Sequence, residues 1–284
     1  MKQVLITGAT GLLGTALAPL LSKNGIRTVG LARDRIELST CDETFKGEAS
    51  DSALIKKLLT NVDAVVHLAA LRTPHLDTPT NVFLGNTSAT FQTLHTAAEC
   101  GVTKVVHLSS ISILGLSFAP RKVLPAYLPI DELHPKVISD PYALSKAADE
   151  EIVRFINNKF SSKCYALRMP FVGDLQNLLL ERATKISLDD NFGSQDFWSY
   201  IEIRDAISAI YAVLTEDISV NDPIFNIVAP NTLASKPTEE LLLKHYSEIS
   251  ARPKFIGFES VFNSTKFLKS TGFEFKYIFE NMKL

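Results

Sequence analysis

Tyr142 and Lys146, in the stretch Pro141-Tyr142-Ala143-Leu144-Ser145-Lys146-Ala147-Ala148, stand four residues apart. On a helix that spacing puts both side chains on one face, where they approach a common point. A free phenol titrates near ~10 and makes a poor acid or base at neutral pH. A neighbouring ammonium favours the phenolate and brings such a group into the range useful for proton transfer. The spacing by itself is common, since a half-buried ring and a solvated lysine stem produce it too. Its meaning depends on whether the rest of the chain builds a cofactor site around it.

A second run of residues can do so. Thr7-Gly8-Ala9-Thr10-Gly11-Leu12-Leu13-Gly14 follows an apolar stretch at 4–7 and opens a segment of helical spacing at 12–23. Glycines there allow a tight turn, close backbone approach to a pyrophosphate and close helix–strand packing. The helix N-terminus offers unsatisfied N–H groups and positive potential to phosphates. The spacing is GxxGxxG rather than GxGxxG, and its place between a strand and a helix points to a dinucleotide.

The elements that must hold these residues alternate. Apolar runs at 28–32, 64–68, 105–109 and 165–168 read as strands, and 52–59, 86–100 and 142–157 read as helices. Gly101 suits a left-handed cap after the second of these helices, and Asp140-Pro141 an entry into the third. Such alternation predicts a parallel sheet covered by helices on both faces. Further on, 203–215 and 241–246 read as helices, 265–270 as another helical piece, 224–228 as a strand and 255–258 as strand-like turns. The proline-rich loop 119–135 and the mixed segment 171–199 are placed to border a cleft.

Bulk properties narrow the class. The chain has 284 residues, net charge −2 and 46% hydrophobic residues, enough for a large core. Near balance of charge argues against a nucleic-acid or acidic-membrane partner. Cys41, Cys100 and Cys164 lack metal-ligand spacing, and their odd number fits a reducing compartment rather than a disulfide framework. Cys100 and Cys164 read as core thiols, and His67 and His107 as satisfied core or rim histidines. No HExxH or CxxC pattern supports a metal site. Ala16-Leu17-Ala18 looks like a signal-peptidase site, but cleavage there would remove the first core strand. The run 64–71 is too short to span a bilayer, which needs about 20 residues. The expectation is a cytoplasmic protein.

In order along the chain, these motifs resemble those of an extended short-chain dehydrogenase/reductase, the branch also called the NAD-dependent epimerase/dehydratase family, over roughly residues 2–230. Thr7–Gly14 resembles the cofactor turn, and 62–70 the fourth-strand motif beside the adenosine and nicotinamide ribose. Leu108-Ser109-Ser110 precedes the active-site loop, and Leu167-Arg168-Met169-Pro170 resembles the LRxP segment along the nicotinamide. Tyr200-Ile201-Glu202-Ile203-Arg204-Asp205-Ala206 resembles the later "YVDVRDVA" stretch.

The resemblance implies an α/β fold, a Rossmann-like doubly wound parallel sheet with a small C-terminal substrate lobe. Residues 1–170 would form the NAD(P)-binding domain, with 198–230 returning to it. The lobe would comprise 171–197 and 231–284. Tyr142 becomes the general acid/base, Lys146 the holder of the nicotinamide ribose, and Ser110 the hydroxyl that steadies the substrate oxygen, with Ser109 and Ser112 as alternatives. Asn86 occupies the family's helical Asn position, behind Lys146. Gly8, Thr10, Gly11, Leu12, Leu13, Gly14, Arg33, Glu48, Ala49, Leu68, Ala69, Ala70, Met169 and Pro170 would line the cofactor. Ala32 stands where the family carries its ribose acid and Arg33 follows it, which favours NADP, with NAD possible and Asp34 as an acid in a shifted register. Arg168 reads as structural, and Asp51 as a helix cap.

The substrate side is drawn from Arg72, Ser112, Phe171 and Trp198. The arginine often placed before the "YVDDVA" strand for a substrate pyrophosphate is not evident in Gln195-Asp196-Phe197-Trp198, and Ser110 is followed by Ile111 and Ser112 rather than an acidic pair. The expected activity is therefore an NAD(P)-dependent oxidoreductase acting on a small sugar-like or carbonyl compound. The alternatives are a nucleotide-sugar epimerase or dehydratase with tightly bound NAD and, in another class, a non-catalytic NAD(P)-sensing regulator, which the intact Ser-Tyr-Lys set disfavours. Helices 86–100 and 142–157 resemble the family's dimerising pair, so a homodimer is expected.

Overall fold

The computed structural model describes residues 1–249 and 252–280; residues 250–251 and 281–284 of the expected lobe lie outside the described residues. Its strands are β1 (Gln3–Thr7), β2 (Arg27–Ala32), β3 (Glu43–Lys46), β4 (Ala64–His67), β5 (Lys104–Ser110), β6 (Lys163–Met169), β7 (Phe171–Gly173), β8 (Tyr200–Glu202) and β9 (Ile224–Asn226). Seven of them form one sheet in the order β3-β2-β1-β4-β5-β6-β9, parallel throughout. β7 and β8 pair in parallel as a separate two-stranded sheet. The helices are α1 (Leu12–Lys23), α2 (Ser52–Leu58), α3 (Pro79–Glu99), α4 (Pro141–Lys159), α5 (Leu178–Leu188), α6 (Ile203–Thr215), α7 (Thr238–His245) and α8 (Thr265–Thr271).

Strand periodicity divides the core into two layers. Val4, Ile6 and Val66 face one side and pack with Leu13, Leu17 and Leu21 of α1 and Ala206, Ile210 and Val213 of α6. Leu5, Val65 and Val105 face the other side, against Ile55 of α2, Leu94 and Ala97 of α3, and Val153 and Ile156 of α4. Both sheet faces are covered, so the central strands read as unbroken apolar runs rather than alternating ones. A third cluster, including Ile113, Leu128, Leu179, Phe197, Tyr200 and Leu241, forms the lobe core.

Local chemistry sets where the helices begin. Side-chain oxygens of Asp51, Thr78 and Asp140 accept the N–H groups of Leu54, Asn81 and Ala143, and prolines in the first turns of α3 and α4 need no N–H partner. The Thr78-Pro79 signal starts α3 seven residues before the expected 86. β3 escaped notice because it is a short, polar edge strand with half-buried residues only at its centre. The expected strand-like turns at 255–258 form no strand; one isolated bridge joins Asn231 to Glu259 nearby. α8 lies apart from the lobe core, with Phe267 buried against Phe225 in the layer that holds α1 and α6.

Helix α4 is pinned to the sheet by a buried ion pair. Arg168 of β6 donates from Nε to Glu150 Oε1 at 2.7 Å and from Nη2 to Oε2 at 2.9 Å, both side chains almost fully inaccessible. Ser109 donates to the same carboxylate at 2.9 Å and Lys136 at 3.1 Å. Burial pushes the Glu150 carboxyl up, but Arg168, Lys136 and Ser109 outweigh it and leave it below the ordinary value. Removing one partner strands the other charge in the interior, so Glu150→Ala should destabilise the fold by about 3–5 kcal/mol. Urea unfolding checks this, and a loss below about 1 kcal/mol, the range of an exposed pair, would contradict the role given to it.

Candidate active site

The sheet order reverses at β1, where the chain runs first through β2 and β3 and then crosses to β4. A doubly wound sheet opens its ligand crevice at the carboxyl ends of strands beside such a switch point. The glycine turn lies there. Gly8 has φ +72°, and a β-carbon on it would sit 2.9 Å from Ala69 N and Leu68 C. A β-carbon on Gly14 would come within 2.5 Å of Gly8 O. Side chains are therefore excluded from both positions by backbone. Gly11 is the N-cap of α1 and no side chain fills the free N–H groups of that turn. An unfilled helix N-terminus beside a bare backbone cradle fits a pyrophosphate.

Two connected spaces flank this turn. The smaller, about 480 Å³, is lined by Thr10, Arg33, Asp34, Glu48, Ala49 and the 68–71 backbone, as an adenosine site requires. The larger, about 1300 Å³, runs from Gly8–Gly14 past Leu68, Met169 and Pro170 to Ser110, Tyr142 and Lys146, and then into the lobe. The cofactor residues expected from the sequence thus all line these two adjoining spaces, and Ser110, Tyr142 and Lys146 line the larger. No group of three or more His, Cys, Asp or Glu side chains suited to a metal ion occurs among the described residues.

The serines separate by their partners. All three line the cavity, but the Ser109 hydroxyl is donated to Glu150, whereas Ser110 Oγ donates to Ser112 Oγ at 3.1 Å. Lys146 is buried and donates to Leu108 O at 2.8 Å. Tyr142 is also buried, and Phe118 meets its ring edge-on at 6.1 Å between centroids. Asn86, expected to anchor the network behind Lys146, bonds to backbone and to the residue before that lysine. It accepts from Leu71 N at 2.8 Å, donates to Leu71 O at 3.0 Å and to Ser145 Oγ at 3.1 Å. It fixes the backbone that follows β4 to α4 and touches neither Tyr142 nor Lys146 by a hydrogen bond among the described residues.

On the substrate side Arg72, Ser112 and Phe171 line the cavity. Trp198 does not. Its indole is fully buried in the lobe core and donates to Asp190 O at 3.0 Å, so it supports the wall from behind. Arg168 holds Glu150, as a structural reading requires. Cys164 is buried, but Cys100, at the end of α3, is exposed rather than a core thiol. His67 is satisfied, with Nδ1 2.8 Å from Thr7 Oγ1 and Nε2 3.2 Å from Thr90 Oγ1.

Arg182 is the residue that sequence reasoning missed. It projects from α5 into the cavity wall, with its guanidinium 4.6 Å from the Phe171 ring centroid and 5.1 Å from that of Phe192. Asp196 pairs with it at 2.5 Å. The only signal was the helical period of 178–188, hidden in a segment without clear boundaries. Burial pushes the Asp196 carboxyl up to about 6 despite that arginine. An unfolded aspartate titrates near ~3.9, so the folded protein holds this proton more tightly. The group's contribution to stability therefore falls as pH rises from about 4 to about 6 and is constant above. The difference in melting temperature between Asp196→Asn and wild type should drift across that window and level off by about pH 7. A difference that is flat from pH 4 upward would contradict the assignment.

The model of the NAD dependent epimerase/dehydratase family matches residues 4–227. A UDP-glucose 4-epimerase of Neisseria meningitidis serogroup C is 27% identical over 168 residues, covering 54% of this chain and 48% of that protein. One from Azospirillum brasilense is 28% identical over 160 residues, with 54% and 44% covered. The chain spans about half the length of the curated relatives it matches. Among solved structures, a short-chain dehydrogenase/reductase superfamily protein from Agrobacterium tumefaciens with bound NAD superposes with TM-score 0.72 at 21% identity, covering 97% of this chain and 93% of that one. The UDP-glucose 4-epimerase of Thermotoga maritima with UDP-glucose gives 0.71 at 19%, with 96% and 94% covered. The glycine cradle, the Tyr142–Lys146 face and a family match that runs from β1 to just past β9 lead to one assignment: the chain belongs to the NAD dependent epimerase/dehydratase family.

Proposed function

We propose that this chain is an NAD(P)-dependent enzyme acting on the sugar of a nucleotide-sugar, with the hydride returned within one catalytic cycle. The observation that carries this is the length of the cavity. It continues past Ser110 and Tyr142 into a lobe end lined by Lys122, Arg182, Lys244 and Tyr246, more room than a small carbonyl compound uses. The curated relatives named UDP-glucose 4-epimerase support the same substrate class. A dehydratase is disfavoured because Ile111 and Ser112 follow Ser110 where an acidic pair would be needed.

The nicotinamide, when bound, supplies hydride acceptance and return. The chain's own residues handle the proton. Tyr142 Oη would take it from a sugar hydroxyl and give it back, Ser110 Oγ would hydrogen-bond the same oxygen, and Lys146 would hold the ribose beside them. The α1 N-terminus would receive the pyrophosphate. Arg33, exposed at the end of β2 and without an ion pair among the described residues, supports NADP by offering a fork to a ribose phosphate. The solved neighbours from Agrobacterium tumefaciens and Bifidobacterium longum carry NAD and NAD+, which supports the other choice.

A second reading, net hydride exchange with a small uncharged substrate, is favoured by one observation. The lobe cations are already paired: Lys122 with Glu248 at 3.0 Å, Arg182 with Asp196 at 2.5 Å, and Lys244 with Asp190 at 2.6 Å. A single experiment separates the two. Purified protein is denatured, the released nucleotide is identified, and fresh protein is assayed on UDP-sugars and on aldoses and aldehydes. Stoichiometric nucleotide and UDP-sugar interconversion without net absorbance change at 340 nm are expected; net cofactor turnover on an aldose would overturn the nucleotide-sugar proposal. Tyr142→Phe should lower kcat by about 10²–10⁴ with cofactor binding intact.

A second copy of this chain is the partner proposed for the outer face of α3 and α4. Leu84, Phe91, Leu144 and Phe155 are exposed there, an apolar set that a monomer has little reason to keep. Light scattering should give twice the 31.3 kDa chain mass, and a monomer at micromolar concentration would contradict it.

A further inference from the structure

Lys146 has a partner that the proton relay does not require. Its ammonium lies 3.3 Å from Asp149 Oδ2, one turn further along α4, and the Asp149 side chain is fully buried. His107 of β5 brings Nε2 to 3.4 Å from the same oxygen and is equally inaccessible. Its ring stacks on His67 of β4, with centroids 5.5 Å apart. Neither ring nitrogen of His107 nor Asp149 Oδ1 has a hydrogen-bond partner among the described residues.

Such groups are expensive to bury and are paired or hydrogen-bonded in most folded proteins. Asp149 takes no part in the tie between α4 and β6, which its neighbour Glu150 makes with Arg168. The groups facing it from the packed elements are Lys146 on α4, His107 on β5 and His67 on β4; α3 contributes uncharged Thr90 to His67 and Asn86 to Ser145. Burial holds both histidines below their ordinary range, aided by the Lys146 charge, so at neutral pH they carry none. Burial pushes Asp149 up, but Lys146 and then His107 outweigh it and keep it ionised. The cluster is one cation and one anion, sealed behind the cavity wall.

We propose that Asp149, backed by His107, is a positioning residue for Lys146: its carboxylate keeps the ammonium charged and directed past Leu108 O into the cavity. This rests on the function proposed above, in which Lys146 holds the nicotinamide ribose. Asp149 itself faces Lys146 and does not line the cavity. A buried ammonium without its counter-charge gives up its proton more readily, so Asp149 extends ribose binding to alkaline pH.

The test is the affinity for NADH and NADPH, read by nicotinamide fluorescence from about pH 5 to 10, with thermal melts as the fold control. In Asp149→Asn the alkaline loss of affinity should begin at least one pH unit earlier than in wild type. A profile that superposes on wild type, or one lowered equally at every pH, overturns the proposal. If Asp149→Asn fails to fold, Asp149→Ser, equally neutral and smaller, carries the same alkaline test, and an alkaline limb unmoved from wild type overturns the proposal. Wild type that binds neither nucleotide at any pH would instead sink the function on which the proposal rests.

Discussion

The buried contact of Glu150 with Arg168 is the constraint on which the site depends. It clamps α4 to β6 through a two-pronged ion pair and draws in Ser109 from β5. Three elements are thereby locked at the carboxyl end of the sheet, and Tyr142, Lys146 and Ser110 are the side chains that this lock aims. A catalytic hydroxyl or ammonium misplaced by about 1 Å can lose on the order of 10² in rate. Position is thus set by a charge pair that itself does no chemistry. The carboxylate also explains why two adjacent serines differ: the hydroxyl of Ser109 is consumed by the clamp, and that of Ser110 is not.

The second constraint is steric. Gly8 and Gly14 sit against backbone of the 68–69 and 8–9 segments, so β1, α1 and the end of β4 approach more closely than side chains would permit. That close approach leaves the α1 N-terminus bare at the switch point, where a diphosphate can use it. The lobe completes the crevice from the other side, with β7 and β8 paired beneath it and the buried Trp198 and Tyr200 stiffening its wall. The glycine turn and the Tyr142–Lys146 face in this way lie along one cavity, each anchored to a different layer of the core.

Much of the nucleotide half was legible from residue types. The bounds of α1 and α6 coincide with the apolar period, because both helices bury one face on a sheet that is itself covered on both sides. The glycine turn and the Tyr142–Lys146 face were legible for the same reason: local spacing decides them. What was not legible depends on contacts distant in sequence. Trp198 reads equally well as a cavity wall or a core residue until β8 and the indole bond to Asp190 O place it. Arg182 carries no local mark of its role, since Phe171, Phe192 and Asp196 reach it from three separate segments. Asn86 sits at the expected helical position, yet its bonds to Leu71 depend on where the loop after β4 turns. Cys100 looked apolar in sequence, but α3 ends before it can be buried.

A crystal structure with bound NADH or NADPH decides whether the nucleotide crevice and the Ser-Tyr-Lys face form one site. The pyrophosphate is expected on the N–H groups that open α1 and the nicotinamide ribose within hydrogen-bond distance of Lys146 Nζ, with Tyr142 Oη and Ser110 Oγ facing the nicotinamide. A cofactor bound with its nicotinamide directed away from Lys146 and Tyr142, at full occupancy, would contradict it.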